Sequence, residues 1–214
     1  MGLEYALLRR GPLTMAPSQL GLFARSDESV PTPDLEYHVQ PLSLDKFGDP
    51  LHEFPAFTAS VCDLRPQSRG HVSIRDREPA SAPRIAPCYL THEADRRKAV
   101  QALRLTRRIL SQPALARFEP VEHLPGPGFS TDEQLAQAAG DIGTTIFHPV
   151  GTCRMGRHDD AGAVTDSELR LRGMDGLRIV DASIMPSITS GNTSSPTIMI
   201  AERGARLIRS ARGR

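Results

Sequence analysis

The chain has 214 residues, of which 39% are hydrophobic and 24% are charged, so it is long and apolar enough to bury a hydrophobic core. Its 26 Lys and Arg residues oppose 25 Asp and Glu residues, which gives a formal net charge of +1. This balance excludes the large basic field of a protein that binds nucleic acid or anionic membranes. We therefore expect no nucleic-acid partner and favour small-molecule chemistry.

Cysteine and histidine spacing argue against a disulfide scaffold and a metal site. Cys62, Cys88 and Cys153 are an odd number without a framework spacing, which favours a reducing compartment. His148 and His158 with Cys153 lack a fourth ligand or a helical register, so we expect no metal. The first residues place an acid before bases, the reverse of a signal peptide, and no apolar run has the length of a membrane span. These features predict a cytoplasmic protein.

The N-terminal part of the chain is predicted to form an antiparallel sheet. Strands are expected at residues 20–25, 35–44, 56–64 and 71–75, because apolar and β-branched residues alternate there between turn-forming segments. Pro41 makes the second strand an edge or a bulge, since proline cannot donate a ladder hydrogen bond. The last two strands are expected to pair with each other.

Three longer helices are predicted farther along the chain. The first covers about residues 92–110, and its many basic side chains are interpreted as a solvated face. The second opens with the capping-box pattern of residues 130–133. The third spans about residues 196–210, with Ser195 as the N-cap and Pro196 as the first helical residue.

The chain is organised around residues 147–156, whose sequence is Phe-His-Pro-Val-Gly-Thr-Cys-Arg-Met-Gly. Pro149 pushes His148 out of the helical region and Gly151 permits a tight turn, so the imidazole is expected to leave a strand end in a fixed orientation. Because imidazole titrates near neutrality, His148 is a candidate base for a substrate hydroxyl. A Cys–His nucleophile that uses Cys153 is disfavoured, since a lone cysteine is more often a small buried apolar residue.

A second stretch, residues 190–199, supplies a candidate partner for this histidine. Asn192 offers a neutral hydrogen-bonding group, and the amides of the helix start that follows it favour negative charge nearby. Taken alone, Asn192 would be interpreted as a turn residue that tolerates left-handed backbone. Between the two stretches lies the apolar run 177–182, expected to be a strand that ends in Asp181 and Ala182.

Three motifs in this order resemble the C-terminal part of the glucose-methanol-choline (GMC) flavin oxidoreductases. They are H-P-V-G-T-C-R-M-G, G-L-R-I-V-D-A-S-I-M-P and S-G-N-T-S-S-P-T-I-M-I-A-E-R. Upstream, residues 11–14, 55–62 and 68–72 are similar to the middle of those proteins. The resemblance covers nearly the whole chain and is strongest to the alcohol and choline dehydrogenase-like members.

The resemblance implies an α+β fold, in which an antiparallel-sheet substrate domain with flanking helices precedes a C-terminal strand and helix of an FAD-binding α/β domain. Residues 1–140 would belong to the substrate-binding domain, and residues 141–214 would form the active-site and FAD-facing segment. Family members are more than twice as long and begin with a glycine-rich nucleotide-binding turn that this sequence lacks. We therefore expect a C-terminal fragment or one piece of a split protein, whose partner is the missing N-terminal FAD-binding domain.

The resemblance also implies an FAD-dependent dehydrogenase or oxidase acting on a small-molecule alcohol. His148 would be the catalytic base and Asn192 the second active-site residue, with hydride passing to FAD and then electrons to a quinone or oxygen. The residues facing FAD would be Asp181, Ala182, Asn192, Thr193, Pro196 and Thr197. His52 is a candidate for the pocket wall. The alternatives are a truncated noncatalytic fragment or interaction module, and a lyase on the same scaffold.

Overall fold

The computed structural model describes residues 2–46 and 48–212, which contain five α-helices, five strands and two short 3-10 turns. The helices are α1 (Gly2–Leu8), α2 (Glu93–Leu110), α3 (Pro113–Ala116), α4 (Asp132–Ile142) and α5 (Ser194–Arg212). The strands are β1 (Leu20–Ala24), β2 (Leu35–Gln40), β3 (Thr58–Asp63), β4 (His71–Ser73) and β5 (Arg84–Ala86). The 3-10 turns are Pro12–Thr14 and Ala182–Ile184.

The strands form two antiparallel sheets, β1-β2-β3 and β4-β5. This mixture of helices and antiparallel sheet confirms the predicted α+β class. The predicted pairing of residues 56–64 with residues 71–75 is wrong, because β3 pairs with β2 and β4 pairs with β5. In the chain between β3 and β4, the Asp95 carboxylate accepts hydrogen bonds from the backbone N–H groups of Gln67 and Ser68, at 2.7–3.1 Å.

The capping box of α4 lies one residue later than the sequence pattern predicts. Thr131 Oγ1 accepts from the Gln134 backbone N–H at 3.2 Å, and Gln134 Oε1 accepts from the Thr131 backbone N–H at 3.1 Å. Gln134, at the third helical position, therefore fills the capping role that the pattern of residues 130–133 predicts for Glu133, because the two side chains have the same length.

One compact unit of the chain comprises residues 1–63 and 97–139. Its central strand is β2, which is flanked by β1 and β3. Tyr37 of β2 is buried against Ala102 of α2. The Tyr37 hydroxyl also donates a hydrogen bond to the Ala102 carbonyl, at 3.3 Å. The buried hydroxyl thus has the partner that a buried polar group requires.

A partly buried charge cluster also joins α2 to this sheet. Lys98 Nζ lies 2.8 Å from Asp63 Oδ1 and 3.4 Å from Asp34 Oδ2. Burial alone would raise the pKa of Asp34, but hydrogen bonds from Ser26 and the nearby Lys98 charge hold that pKa below its usual value. The cluster therefore fixes α2 on the sheet with its charges paired.

The second compact unit comprises residues 64–96 and 140–214. Four buried side chains form its hydrophobic cluster, here named the C-terminal core: Leu169, Ile184, Met185 and Ile200. Six partly buried residues pack against the C-terminal core: Val150, Met155, Ile179, Val180, Ala182 and Leu207.

The apolar run 177–182 is not a regular strand in the structure. It makes an isolated antiparallel bridge between Arg178 and Arg170, and the Ile179 backbone N–H donates to the Leu169 carbonyl at 3.0 Å. The Leu171 backbone N–H also donates to the Leu177 carbonyl at 3.0 Å, so the pairing is present but is limited to a few residues. The side chains of the run are instead held by the C-terminal core.

The predicted boundary at residue 140, between a substrate-binding part and an FAD-facing part, stays a prediction. The two compact units divide the chain differently, since residues 64–96 cluster with the C-terminal residues. Among the described residues, no helix combines the length and the apolar character that crossing a bilayer requires.

Gly204 marks the closest approach of α5 to the apolar run. A Cβ atom there would lie 3.0 Å from Val180 Cγ2 and closer still to Cγ1. We expect Gly204→Ala to lower the free energy of unfolding by about 1–3 kcal/mol, because overpacking displaces Val180 from the C-terminal core. Urea denaturation of the purified chain measures this change.

Gly140 provides the matched control, since it is also a helical glycine but a Cβ atom there meets nothing within 4 Å. Gly140→Ala should leave stability unchanged or raise it by up to about 1 kcal/mol. The double variant Gly204→Ala/Val180→Ala should regain part of the loss. Equal effects of the two glycine substitutions would contradict the packing assigned to Gly204.

Candidate active site

His148 lies in a loop and is half-buried. The expectation that it leaves a strand end is wrong, because residues 143–150 contain no strand. Phe147 before it has a φ of +62°, a conformation that is strained for a bulky aromatic residue. The Phe147 backbone N–H donates to Thr145 Oγ1 at 2.9 Å. Strained residues of this kind persist only where surrounding contacts hold them, and they cluster at functional sites.

The chain after His148 is fixed to the segment that carries the 3-10 turn Ala182–Ile184. The Cys153 backbone N–H donates to the Ser183 carbonyl at 3.0 Å, and the Met155 backbone N–H donates to the Ile184 carbonyl at 2.8 Å. Gly151 has a φ of +85°, and a Cβ atom there would lie 3.2 Å from the Met185 carbonyl oxygen. Glycine at 151 therefore permits both the turn and the close backbone approach.

Asp181 is exposed and caps the 3-10 turn that follows it. Its Oδ1 accepts from the Ser183 backbone N–H at 2.8 Å and also from the Ser183 hydroxyl. Ala182 is half-buried and packs against the C-terminal core. The capping bonds orient the Asp181 carboxylate while the residue stays exposed.

Asn192 is exposed and follows a tight turn in which the Gly191 backbone N–H donates to the Thr189 carbonyl at 2.8 Å. The Arg65 guanidinium donates to Ser190 Oγ at 2.6 Å. Arg65 is a functional candidate that the sequence analysis missed, although it lies between two stretches that carry the family resemblance. Its contact holds the turn from which Asn192 projects.

Helix α5 begins at Ser194, so the N-cap is Thr193 and the assignment of Ser195 to that role is wrong. The buried Thr193 offers its carbonyl to Thr197, which donates from its backbone N–H at 3.0 Å and from its hydroxyl at 2.7 Å. Half-buried Pro196 is tolerated at the third helical position, because the first-turn amides have no intrahelical acceptor. Those unpaired amides give the start of α5 its positive character.

The C-terminal core gives the three candidate segments a common frame. Val150 lies two residues after His148, Ala182 directly follows Asp181, and Ile200 lies on α5 after Asn192. All three pack in the same hydrophobic cluster. The anchoring of these segments is observed. The chemical roles stay predictions for all seven candidate residues: His148, Asn192, Asp181, Ala182, Thr193, Pro196 and Thr197.

The sequence of residues 66–201 matches the family described as GMC oxidoreductase. The chain belongs to the GMC oxidoreductase family. The match covers the His148 loop, the Asp181 turn and the first part of α5, and members of this family are FAD enzymes.

Curated relatives of this GMC oxidoreductase chain include alcohol and choline dehydrogenases. The alcohol dehydrogenase [acceptor] of Pseudomonas putida is 37% identical over 205 residues, which are 96% of the chain and 37% of the relative. The oxygen-dependent choline dehydrogenase of Cronobacter sakazakii is 43% identical over 189 residues, which are 88% of the chain and 34% of the relative. The chain thus spans about a third of the length of these proteins.

A solved GMC-type neighbour shares the fold. The crystal structure of pyridoxine 4-oxidase from Mesorbium loti superposes with a TM-score of 0.80 at 31% identity. The match covers 89% of this chain and 37% of the neighbour. The α+β architecture described above therefore matches part of that larger protein.

The residues at this site fit a hydrogen-bonding, electron-accepting cofactor such as FAD. Thr189 Oγ1 is buried and has no hydrogen-bond partner among the described residues. Helix α5 begins at Ser194, five residues later in the sequence, and its first-turn amides favour partial negative charge. A group that bonds the Thr189 hydroxyl and lies near these amides would satisfy both features.

The unpaired Thr189 hydroxyl predicts an unusual stability change. We expect Thr189→Val to raise the free energy of unfolding of the cofactor-free chain by about 1 kcal/mol, because it removes a buried polar group that has no partner. Thr165→Val is the matched control, since the fully buried Thr165 hydroxyl donates to the Cys153 carbonyl at 3.4 Å. That variant should lose stability. Urea denaturation measures both variants. Similar losses in their free energy of unfolding would show that the Thr189 hydroxyl does have a hydrogen-bond partner.

Proposed function

We propose that this chain forms the active-site part of an FAD-dependent oxidoreductase that oxidises the CH–OH group of a small alcohol. The observation that carries the proposal is the shared anchoring of the His148, Asp181 and Asn192 segments on the C-terminal core. Because the chain spans about a third of its relatives' length, we propose that it acts with a separate FAD-binding region. The final electron acceptor in this proposal is a quinone or oxygen.

His148 is the proposed general base. Oxidation of an alcohol requires the hydroxyl proton to leave, and imidazole is the side-chain group that most often accepts such a proton in enzymes. Half-burial leaves the ring accessible while the loop fixes its direction. The left-handed Phe147 on one side and Pro149 on the other restrict the backbone that carries the ring.

Asn192 is the proposed second contact to the substrate oxygen. Its carboxamide can donate a hydrogen bond to the developing alkoxide without adding a charge that would disturb His148. The turn bonded by Arg65 and the start of α5 fix the residue from both sides. Such fixed positioning lowers the entropic cost of aligning the substrate.

FAD, when bound, supplies the acceptor for the two electrons that leave the substrate carbon. The residues that would hold it are Asp181, Ala182, Asn192, Thr193, Pro196 and Thr197. The first-turn amides of α5 would stabilise negative charge on the cofactor, since a helix N-terminus carries a partial positive charge. The exposed Asp181 oxygen and the Thr189 hydroxyl offer further hydrogen bonds.

The test of this proposal is the rate of flavin reduction by substrate in the holoenzyme. We expect His148→Ala to slow anaerobic reduction by about 10²–10⁴-fold, the usual cost of losing a general base. His158→Ala is the matched control, because His158 is an exposed histidine in a neighbouring loop of the same compact unit. It should reduce flavin at the unaltered rate.

Stopped-flow absorbance separates the possible outcomes. Reduction of the His148→Ala flavin within a few-fold of the unsubstituted rate would exclude His148 as the base. A holoenzyme that binds substrate without any bleaching of the flavin would favour lyase chemistry on this scaffold. Failure of the chain to bind FAD together with the FAD-binding region would favour a noncatalytic module.

A further inference from the structure

Three potential metal-binding side chains converge in the compact unit formed by residues 1–63 and 97–139. Asp45 Oδ1 lies 3.3 Å from His52 Nε2 and 3.3 Å from His123 Nε2. The three ligand atoms all lie within 4.8 Å of one another. This cluster, here named the Asp45 trio, is separate from the residues proposed for catalysis.

His52 is held with one ring nitrogen directed at Asp45. Its Nδ1 is 2.9 Å from Ser43 Oγ, and its backbone N–H donates to the Ser43 carbonyl at 2.9 Å. Its ring stacks on Phe54, with centroids 4.6 Å apart and an interplanar angle of 19°. A hydroxyl that accepts from Nδ1–H leaves the Nε2 lone pair available, the arrangement in which a histidine binds a metal.

His123 approaches the same point from another part of the chain. Its ring meets the His52 ring edge-on, with centroids 5.0 Å apart, and it also contacts Phe54 at 5.5 Å. The shared aromatic neighbour therefore limits how far either imidazole can turn away. An unprotonated Nε2 and a carboxylate oxygen are both acceptors, so two such contacts with Asp45 require protons or a cation between them.

The two distances from Asp45 match the ligand spacing of a tetrahedral metal centre. Nitrogen and oxygen ligands lie about 2.0–2.2 Å from Zn²⁺, so the edge of the ligand tetrahedron is about 3.3–3.5 Å. The two distances of 3.3 Å from Asp45 Oδ1 equal this edge. Two imidazoles and one carboxylate are a ligand set that suits zinc, and three protein ligands leave a fourth position for water.

We propose that Asp45, His52 and His123 form a binding site for Zn²⁺. The half-buried His52 is the fixed ligand, while the exposed Asp45 and His123 leave the open position towards solvent. Ser43 orients His52 through the ring nitrogen that does not bind the ion. The expectation of no metal rested on spacing along the sequence, which cannot reveal a site assembled by the fold.

The test is a titration of the metal-free chain with zinc chloride, followed by isothermal calorimetry. We expect binding to saturate at one ion per chain. His52→Gln and His123→Gln should each weaken binding by at least about tenfold, because loss of even an outer-shell partner typically costs 10–100-fold. His38→Gln is the matched control, since His38 Nε2 lies 3.4 Å from Glu36 Oε1 in a pair outside the trio. It should bind zinc with unchanged affinity.

Two results would overturn the proposal. One is the absence of saturable zinc binding by the unsubstituted chain, and the other is undiminished binding by the His52→Gln/His123→Gln double variant, which would place the ion elsewhere. NMR of the unsubstituted chain with labelled histidines gives a readout that needs no variant. The ring signals of two histidines should shift at one equivalent of zinc, and shifts of the other histidines instead would contradict the assignment.

Discussion

The backbone hydrogen bonds from Cys153 to Ser183 and from Met155 to Ile184 are the contacts on which the proposed active site depends. They join the loop that carries His148 to the turn that carries Asp181, and the side chains beneath them fill the C-terminal core. Helix α5 packs in the same core through Ile200, which lies in the second turn of the helix, close to its N-terminus. Three segments that are distant in sequence thus pack on one hydrophobic cluster, and such shared packing helps to align catalytic groups.

The packed C-terminal core explains how the unusual backbone conformations at this site can persist. A left-handed Phe147, a Gly151 without room for a side chain, and the turn before Asn192 are all unfavourable or unusual in isolation. A packed core and paired backbone groups can hold such conformations at a cost of about 1–3 kcal/mol each. Strain of this kind is expected where a side chain must be presented in one direction.

Much of the architecture follows from local sequence signals, whereas the long-range pairing does not. The start of α2 and the positions of β1 to β4 are set by periodicity and turn residues, so they were predictable to within a few residues. The partner of β3 was not, because β3 pairs with β2 across the long connection between them and no local pattern indicates that pairing. The run 177–182 has strand-like composition, yet its side chains are used to pack the C-terminal core.

Among the site residues, too, those with a local sequence signal were predictable and those placed by long-range contacts were not. Pro149 and Gly151 signal an unusual conformation at His148, and the family resemblance gives a reason to assign it chemistry. Arg65 carries no such local signal, since its bond to Ser190 joins two parts of the chain that only the fold brings together. The Asp45 trio was missed for the same reason, because His52 and His123 are not at metal-ligand spacing in the sequence.

The most direct test of the central claim is a crystal structure of the holoenzyme with a substrate-analogue alcohol bound. The account predicts that His148 and Asn192 both lie within hydrogen-bonding distance of the analogue hydroxyl oxygen, about 2.6–3.2 Å. It also predicts that the bonds from Cys153 and Met155 to the 183–184 backbone are retained. An imidazole and a carboxamide that face separate surfaces, with the alcohol bound elsewhere, would contradict the account.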